Sequence, residues 1–433
     1  MDFRGIIKGL HHVTATVNDA QEDYDFYTGV LGLRLVKETV NFDNERVYHF
    51  YYANETGSPS TVFTTFPYKG QQTRQGVPGY GQVYETAFSV PDGALSFWRY
   101  RLKKQGLDVT QEIRFGQPYL LFKDPSGLLL SILEDGTDHR EPVWITEDID
   151  RKHAIRGIHH VTLAVDDVDE VVGFLEPFGY NSVKNDKTRI MMKAIGNGNG
   201  YNNGNGNGYQ NANGNGNGNA TGYHNGNTNT NASGNANGNG YHNGNTNTNA
   251  SGNANGIGIG NGNGNGYHYH NGNSNSYNNG SGNGYSNGYS NGSGNGYYNT
   301  RGKVTPTLAG KSLVVMRADG LPRGVNGIGT VHHVAHRVGS LEDSLKLRTW
   351  LEEEYGIRVT DVRNRKYFQS IYFRIPGGIL FEVATEGPGF LVDESREELG
   401  SSLKLPDWQE KSRERIKEKL PGYKKASQRE KVS

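Results

Sequence analysis

The chain has 433 residues, more than one small domain needs, and no cysteine, which excludes disulfides, thiolate chemistry and Cys-ligated zinc. Its 45 Lys and Arg balance 45 Asp and Glu, so charge gives no argument for nucleic acid or an anionic membrane surface as partner. The first ten residues lack the apolar core of a secretory signal, and no run approaches the roughly 20 apolar residues of a membrane span. The expectation is therefore a soluble, cytoplasmic protein.

In chain order, Gly9-Leu10-His11-His12-Val13-Thr14 alternates apolar and polar residues, the period of a half-buried strand. A helix should follow, with Asp19 and Glu22 as a capping box and Tyr24, Tyr27 and Leu31 on one face. Gly29 and Gly32 break it, and Val47-Tyr48-His49-Phe50-Tyr51-Tyr52 has strand propensity. The opening then recurs. Gln82 to Phe88 repeats the strand character without histidines, Gly157-Ile158-His159-His160-Val161-Thr162 repeats it with them, and so does Thr330-Val331-His332-His333-Val334-Ala335. The unit ends also match: Asp124-Pro125-Ser126-Gly127-Leu128 and Ile375-Pro376-Gly377-Gly378-Ile379 each read as a tight turn feeding a last strand. The predicted fold is α+β, four βαβββ modules forming two incomplete barrels. Modules 1 and 2 fall in residues 1–140, modules 3 and 4 in 153–390, and a C-terminal extension spans 391–433.

The third module is interrupted. Residues 196–300 contain no Asp, Glu, Lys or Arg and hold 30 of the 61 glycines. This Asn/Gly-rich tract has too little apolar side chain to offset the entropy of ordering it, and disorder is expected. Strand-like flanks, Arg189 to Lys193 and Lys311 to Met316, place it in a loop, where length costs little. Tyr223 to Gly238 recurs as Tyr241 to Gly256, a period that reads as DNA duplication more than as a structural repeat. The tract's role is left between passive spacer and self-association. In the extension, Trp408, Ile416 and Leu420 share one helical face, expected to dock on the barrel.

Strand alternation selects the chemistry. His12 shares a face with Thr14 and Thr16, opposite Val13, Ala15 and Val17, so it should point into the concave side. The same parity selects His160 and favours His333, and it points His11 and His332 away. In Ile379-Leu380-Phe381-Glu382-Val383-Ala384, Glu382 is a carboxylate in an apolar strand, costly unless paired or bound to metal. Two inward histidines and one carboxylate form the facial triad of non-haem Fe(II) oxygenases; Mn(II) suits the same ligands, and zinc accepts them too. On residues alone, His12 and His160 compete for one place.

These segments, with Gly57-Ser58-Pro59-Ser60-Thr61-Val62, Tyr367 to Arg374, Pro376 to Glu382 and Glu398-Leu399-Gly400, resemble the vicinal oxygen chelate superfamily of glyoxalases, bleomycin-resistance proteins and extradiol dioxygenases. More narrowly, they are similar to dioxygenases that cleave hydroquinones. The resemblance implies an Fe(II)-dependent, extradiol-type enzyme using O2 on a small dihydroxylated aromatic, with His12, His333 and Glu382 on the metal. It implies catalytic roles for His11, Arg365 and Tyr372 and substrate contacts for Thr14 and His332, while His160 stays as the alternative ligand. A glyoxalase-like isomerase or lyase, or a non-catalytic small-molecule binder, are the other readings of this fold. The oligomeric state stays open, a homo-oligomer included.

Overall fold

The computed structural model describes Phe3, residues 5–195 and 307–426, and backbone strands between residues 210 and 278. The chain forms two compact units, one of residues 1–196 with 303–433, the other of residues 197–302.

The four modules of the first unit follow the predicted order. The first holds β1 (Leu10–Val17), α1 (Ala20–Tyr24), β2 (Arg34–Asn41), β3 (Asn44–Ala53) and β4 (Val62–Pro67). The second holds β5 (Gln82–Val90), α2 (Leu95–Lys104), β6 (Thr110–Arg114), β7 (Gln117–Lys123) and β8 (Leu129–Glu134). The third holds β9 (Gly157–Val165), α3 (Val168–Phe178), β10 (Tyr180–Asp186), β11 (Arg189–Ala194) and β12 (Ser312–Arg317). The fourth holds β13 (Thr330–Val338), α4 (Leu341–Tyr355), β14 (Arg363–Asn364), β15 (Gln369–Arg374) and β16 (Leu380–Thr385).

Asp19 caps α1 as expected, its side chain accepting from the backbone N–H of Gln21 and Glu22. The helix then widens into a π turn, Asp25–Val30, which buries Phe26 and Tyr27. Val13, Ala15 and Val17 of β1 join Phe26, Tyr27 and Leu31 in the main core. Burial of Phe26 or Leu31 contributes about 1.5–3 kcal/mol each. The helix-facing sides of both sheets belong to this one core.

The strands form two eight-stranded sheets, β2-β3-β4-β1-β13-β16-β15-β14 and β10-β11-β12-β9-β5-β8-β7-β6. The first sheet joins modules 1 and 4, the second joins modules 2 and 3. This corrects the expected grouping of modules 1 and 2 within 1–140 and modules 3 and 4 within 153–390. Each module leaves the edge of its first strand unpaired, and any other module's first strand can cover it. Chain order does not choose the partner. The linkers do: the segment after β4 runs beside the one before β13, with bridges Gln75↔Ile328 and Val77↔Val325. As a result β1 pairs antiparallel with β13, and β5 with β9.

Both central pairings carry bulges. In the first sheet His12 pairs with Ala335 and Thr14 with His333, and the register slips once across His11 and once across His332. In the second, His160 pairs with Ala87 and Thr162 with Glu85, with slips across His159 and Tyr84. Simple alternation therefore fails at His11 and His332, because each is the extra residue of a bulge. Gly9, just before the first pair, has φ of 128°, and a Cβ there would meet the Gly310 carbonyl at 2.5 Å.

The extension wraps the first sheet. Leu399, Leu405 and Ile416 are buried, and Ile416 lies on α5 (Arg413–Lys419). Trp408 precedes α5 and is more exposed than Ile416, but its ring still meets Phe42 of the barrel edge-on at 5.7 Å. The Asn/Gly tract connects β11 to β12, which pair antiparallel in the second sheet. Where the tract's backbone is described it is strand rather than structureless chain, paired parallel at a constant offset that sets Tyr223 beside Tyr241 and Gly240 beside Gly258. The sequence period is thus also the spacing between paired strands, since such pairing satisfies backbone groups without an apolar core. The rest of the tract lies outside the described residues.

Candidate metal centre

His12 on β1, His333 on β13 and Glu382 on β16 meet on the concave face of the first sheet. His12 Nε2 lies 3.3 Å from Glu382 Oε2, His333 Nε2 lies 2.8 Å from the same oxygen, and the two nitrogens are 3.3 Å apart. All three residues are buried, and together they are a metal-holding cluster among the described residues. His160 lies in the other sheet, so the cluster that comes together is His12, His333 and Glu382. Neither carboxylate oxygen of Glu382 has a properly directed hydrogen bond, despite the short distances. Three buried donors this close, their carboxylate without a directed hydrogen bond, aim at a common point. Donors held about 2.1 Å from one ion at right angles lie about 3.0 Å apart, which the observed spacing matches. Burial by itself would raise the Glu382 carboxyl, but His12 and His333 outweigh it and hold it well below the usual carboxylate range. The donor set fits a divalent metal.

The bulged histidines stand directly behind His12 and His333. His11 Nδ1 is 2.9 Å from His12 Nδ1, and His332 Nδ1 is 2.7 Å from His333 Nδ1. Burial, then the neighbouring His12, lowers the His11 pKa to about 3, and the Thr385 backbone hydrogen-bonds its ring. With Nε2–H given to that carbonyl, His11 accepts at Nδ1 from His12, and His12 Nε2 keeps a bare lone pair for metal. Both nitrogens of His11 are thereby engaged. His332 differs: it is exposed, and its ring lies edge-on to Phe66.

Thr14 pairs with His333 across the strands, and its hydroxyl accepts from Thr64 at 2.8 Å. Tyr372 packs edge-on to His333, ring centroids 5.6 Å apart. Arg365 Nε donates to the Tyr372 hydroxyl at 3.1 Å, and its Nη1 reaches Asp43 at 3.2 Å. Burial opposes the guanidinium charge, but Tyr372, Glu382 and Asp43 outweigh it. Burial and the Glu382 charge push the Tyr372 phenol well up, so it keeps its proton.

Sequence reasoning missed His49. Its Nε2 is 3.0 Å from the Thr64 hydroxyl, and its Nδ1 accepts from Tyr51 at 2.9 Å. Burial, then the charges of His12, Arg365 and His333, depress its pKa far below the usual value. The signal was present: on β3, His49 and Tyr51 share the parity opposite to Tyr48, Phe50 and Tyr52, which face the helices.

Residues 9–132 match the glyoxalase/bleomycin resistance protein/dioxygenase superfamily. MhqE of Bacillus subtilis, described as a ring-cleaving dioxygenase, is 33% identical over 96% of this chain and 98% of its own. The chain belongs to this superfamily. It is an enzyme of the ring-cleaving dioxygenase kind. The chlorohydroquinone/hydroquinone 1,2-dioxygenase of Sphingobium indicum is 28% identical over 92% of this chain and 91% of its own. The crystal structure of a Bacillus subtilis dioxygenase superposes with a TM-score of 0.68 at 30% identity, covering 97% of this chain and 98% of its own. Among the described residues no helix is long and apolar enough to cross a membrane.

Proposed function

We propose that this enzyme opens dihydroxylated aromatic rings of the hydroquinone class with O2 at an Fe(II) held by His12, His333 and Glu382. The observation that carries this reading is the convergence of three buried donors whose carboxylate has no directed hydrogen bond. Near full-length similarity to a hydroquinone dioxygenase supports the substrate class. Fe(II) bound to a facial triad supplies open positions for a substrate hydroxylate and dioxygen, and conducts charge from ring to oxygen.

The surrounding residues divide the remaining work. His332, exposed in the cleft, donates from Nε2 to a ring hydroxyl. Thr14 orients its neighbour Thr64 and, through it, His49. With Nδ1 accepting from Tyr51 and Nε2 donating to Thr64, His49 has no free nitrogen either and holds this hydrogen-bond chain in place beside the metal. Arg365 keeps a fixed positive charge beside Tyr372, and the pair steadies negative charge as it develops on oxygen. His11 is an orienting residue in this scheme rather than an acid–base group, because neither of its nitrogens is free. An isomerase of the glyoxalase kind would draw on a further carboxylate, and the described cluster holds only Glu382.

The test is anaerobic loading with Fe(II), then oxygen uptake and detection of ring-opened product with methylhydroquinone and with catechol. Uptake with methylhydroquinone that disappears in Glu382→Ala supports the proposal. Uptake with catechol alone removes the substrate class. No uptake by iron-loaded protein with either substrate rejects the reaction.

A further inference from the structure

We infer that the second sheet carries a converted copy of the metal centre, in which the guanidinium of Arg114 stands in for the ion and shuts that copy to divalent metal. The comparison rests on the metal reading of the first sheet.

Strand register defines the equivalence. His12 and His160 are each opposed by an alanine, Ala335 and Ala87, across the central pair. Thr14 faces His333, and Thr162 faces Glu85. Glu382 pairs with Ala335, and Ser131 pairs with Ala87. The places of His12, His333 and Glu382 are thus taken by His160, Glu85 and Ser131. The bulges recur at the same points, and so does the paired imidazole behind the ligand. His159 Nδ1 is 2.7 Å from His160 Nδ1, and His159 Nε2 reaches Asp135 at 3.3 Å. That pairing again leaves His160 Nε2 bare on the concave side.

The charge balance differs. Glu85 is buried and needs a counter-charge. Arg114 supplies it: Nη1 donates to both carboxylate oxygens, at 2.8 and 2.7 Å, while Ser131 donates to Oε1 at 2.5 Å. Arg114 is itself buried and lies over Tyr119, whose ring meets His160 edge-on. A guanidinium nitrogen bonded to both carboxylate oxygens, with Nε held by Glu112, uses the lone pairs an ion would need, and its charge repels a second cation. The orienting apparatus of a metal site has been kept, and the ion's charge has been made covalent.

The test is metal stoichiometry, read by equilibrium dialysis of metal-free protein against Co(II) followed by elemental analysis. The parent is expected to bind one ion per chain, losing it in Glu382→Ala and keeping it in His160→Ala. Arg114→Met combined with Ser131→Glu is expected to gain one ion over its parent, and adding His160→Ala removes that gain. Arg114→Lys, which keeps the cation, gains none. A parent that loses metal in His160→Ala overturns the inference, as does a double variant with native circular dichroism that gains nothing. Should the double variant not fold, the His160→Ala result decides alone. A parent with no metal at all rejects the first-sheet reading instead, and the gain in the double variant still decides this one.

Discussion

The two sheets share strand order, bulges and an imidazole pair behind each first-strand histidine, yet only the first keeps an open donor set. The difference lies in very few side chains. Where the first sheet has His333 and Glu382, the second has Glu85 and Ser131, and Arg114 completes a closed ion pair. The backbone supplies the directions, and side-chain charge decides whether the result is a reactive site or a structural one. The duplicated scaffold therefore says little about activity by itself.

The largest expected contrast follows from the ligands. His12→Ala, His333→Ala and Glu382→Ala should each abolish metal retention and ring opening, exceeding the roughly 100-fold ceiling for residues behind a metal ligand. His160→Ala and Ser131→Ala should leave both unchanged. Elemental analysis beside oxygen uptake checks this, and equal losses in the two sheets would break the comparison.

Next in size is a stability effect confined to the first sheet. Lys37 on β2 is fully buried, with Nζ on Asp393 at 2.6 Å and on Glu394, and it holds the C-terminal extension against the barrel. Lys37→Met takes the nearest cation from the buried Glu394, while Asp393 keeps Lys366 and Tyr367, and should cost about 3–5 kcal/mol. Urea unfolding checks the size, and a loss under 1 kcal/mol would show the extension is held by its apolar contacts alone.

A smaller effect separates the bulged histidines. His11→Phe removes the acceptor that fixes the His12 tautomer and should weaken metal binding about 10–100-fold. His159→Phe should not affect it, because the second sheet holds no ion. Metal affinity by competition with a chelator distinguishes the two.

Much of this was legible in sequence. The fourfold repeat, the inward parity of His12, His333 and Glu382, and the Asp19 cap all follow from local patterns that the structure repeats. Three features were not. The pairing of module 1 with module 4 depends on which linkers run together, and no residue pattern encodes that. The positions of His11 and His332 depend on bulges, which break the period from which parity is read. His49 was legible by parity but lies in a run whose aromatic residues made it look like plain strand. Arg114 and Glu85 were hidden for the opposite reason: without histidines at the opening of β5, nothing marked that strand as part of a site.

The finest contrast lies beneath the sheets. Counting from the caps Asp19 and Asp167, the residue four places on is Asp23 in the first module and Val171 in the third. Asp23 is buried and accepts from Tyr52 at 2.8 Å and Thr65 at 2.6 Å. Burial pushes its carboxyl up to about 8, against those two hydrogen bonds and with help from Asp124. The folded value exceeds the unfolded one of about 3.9, so the native state holds this proton more tightly. The contribution is complete below about pH 4 and is lost as pH rises through about 8. Its slope is at most about 1.4 kcal/mol per pH unit. Asp124 is also raised, to about 6, chiefly by burial, and buried histidines such as His11 and His49 add stability as pH rises past their unfolded value of about 6.5, so the Asp23 effect is read as the difference between parent and variant. Asp23→Asn keeps an acceptor for Tyr52 and Thr65 but has no proton to lose. Between about pH 6.5 and 7.5 the urea midpoint of the variant should rise relative to that of the parent. An identical pH dependence in both would mean the first sheet already holds Asp23 ionised, and that its acid is as inert in this range as the valine that replaces it in the third module.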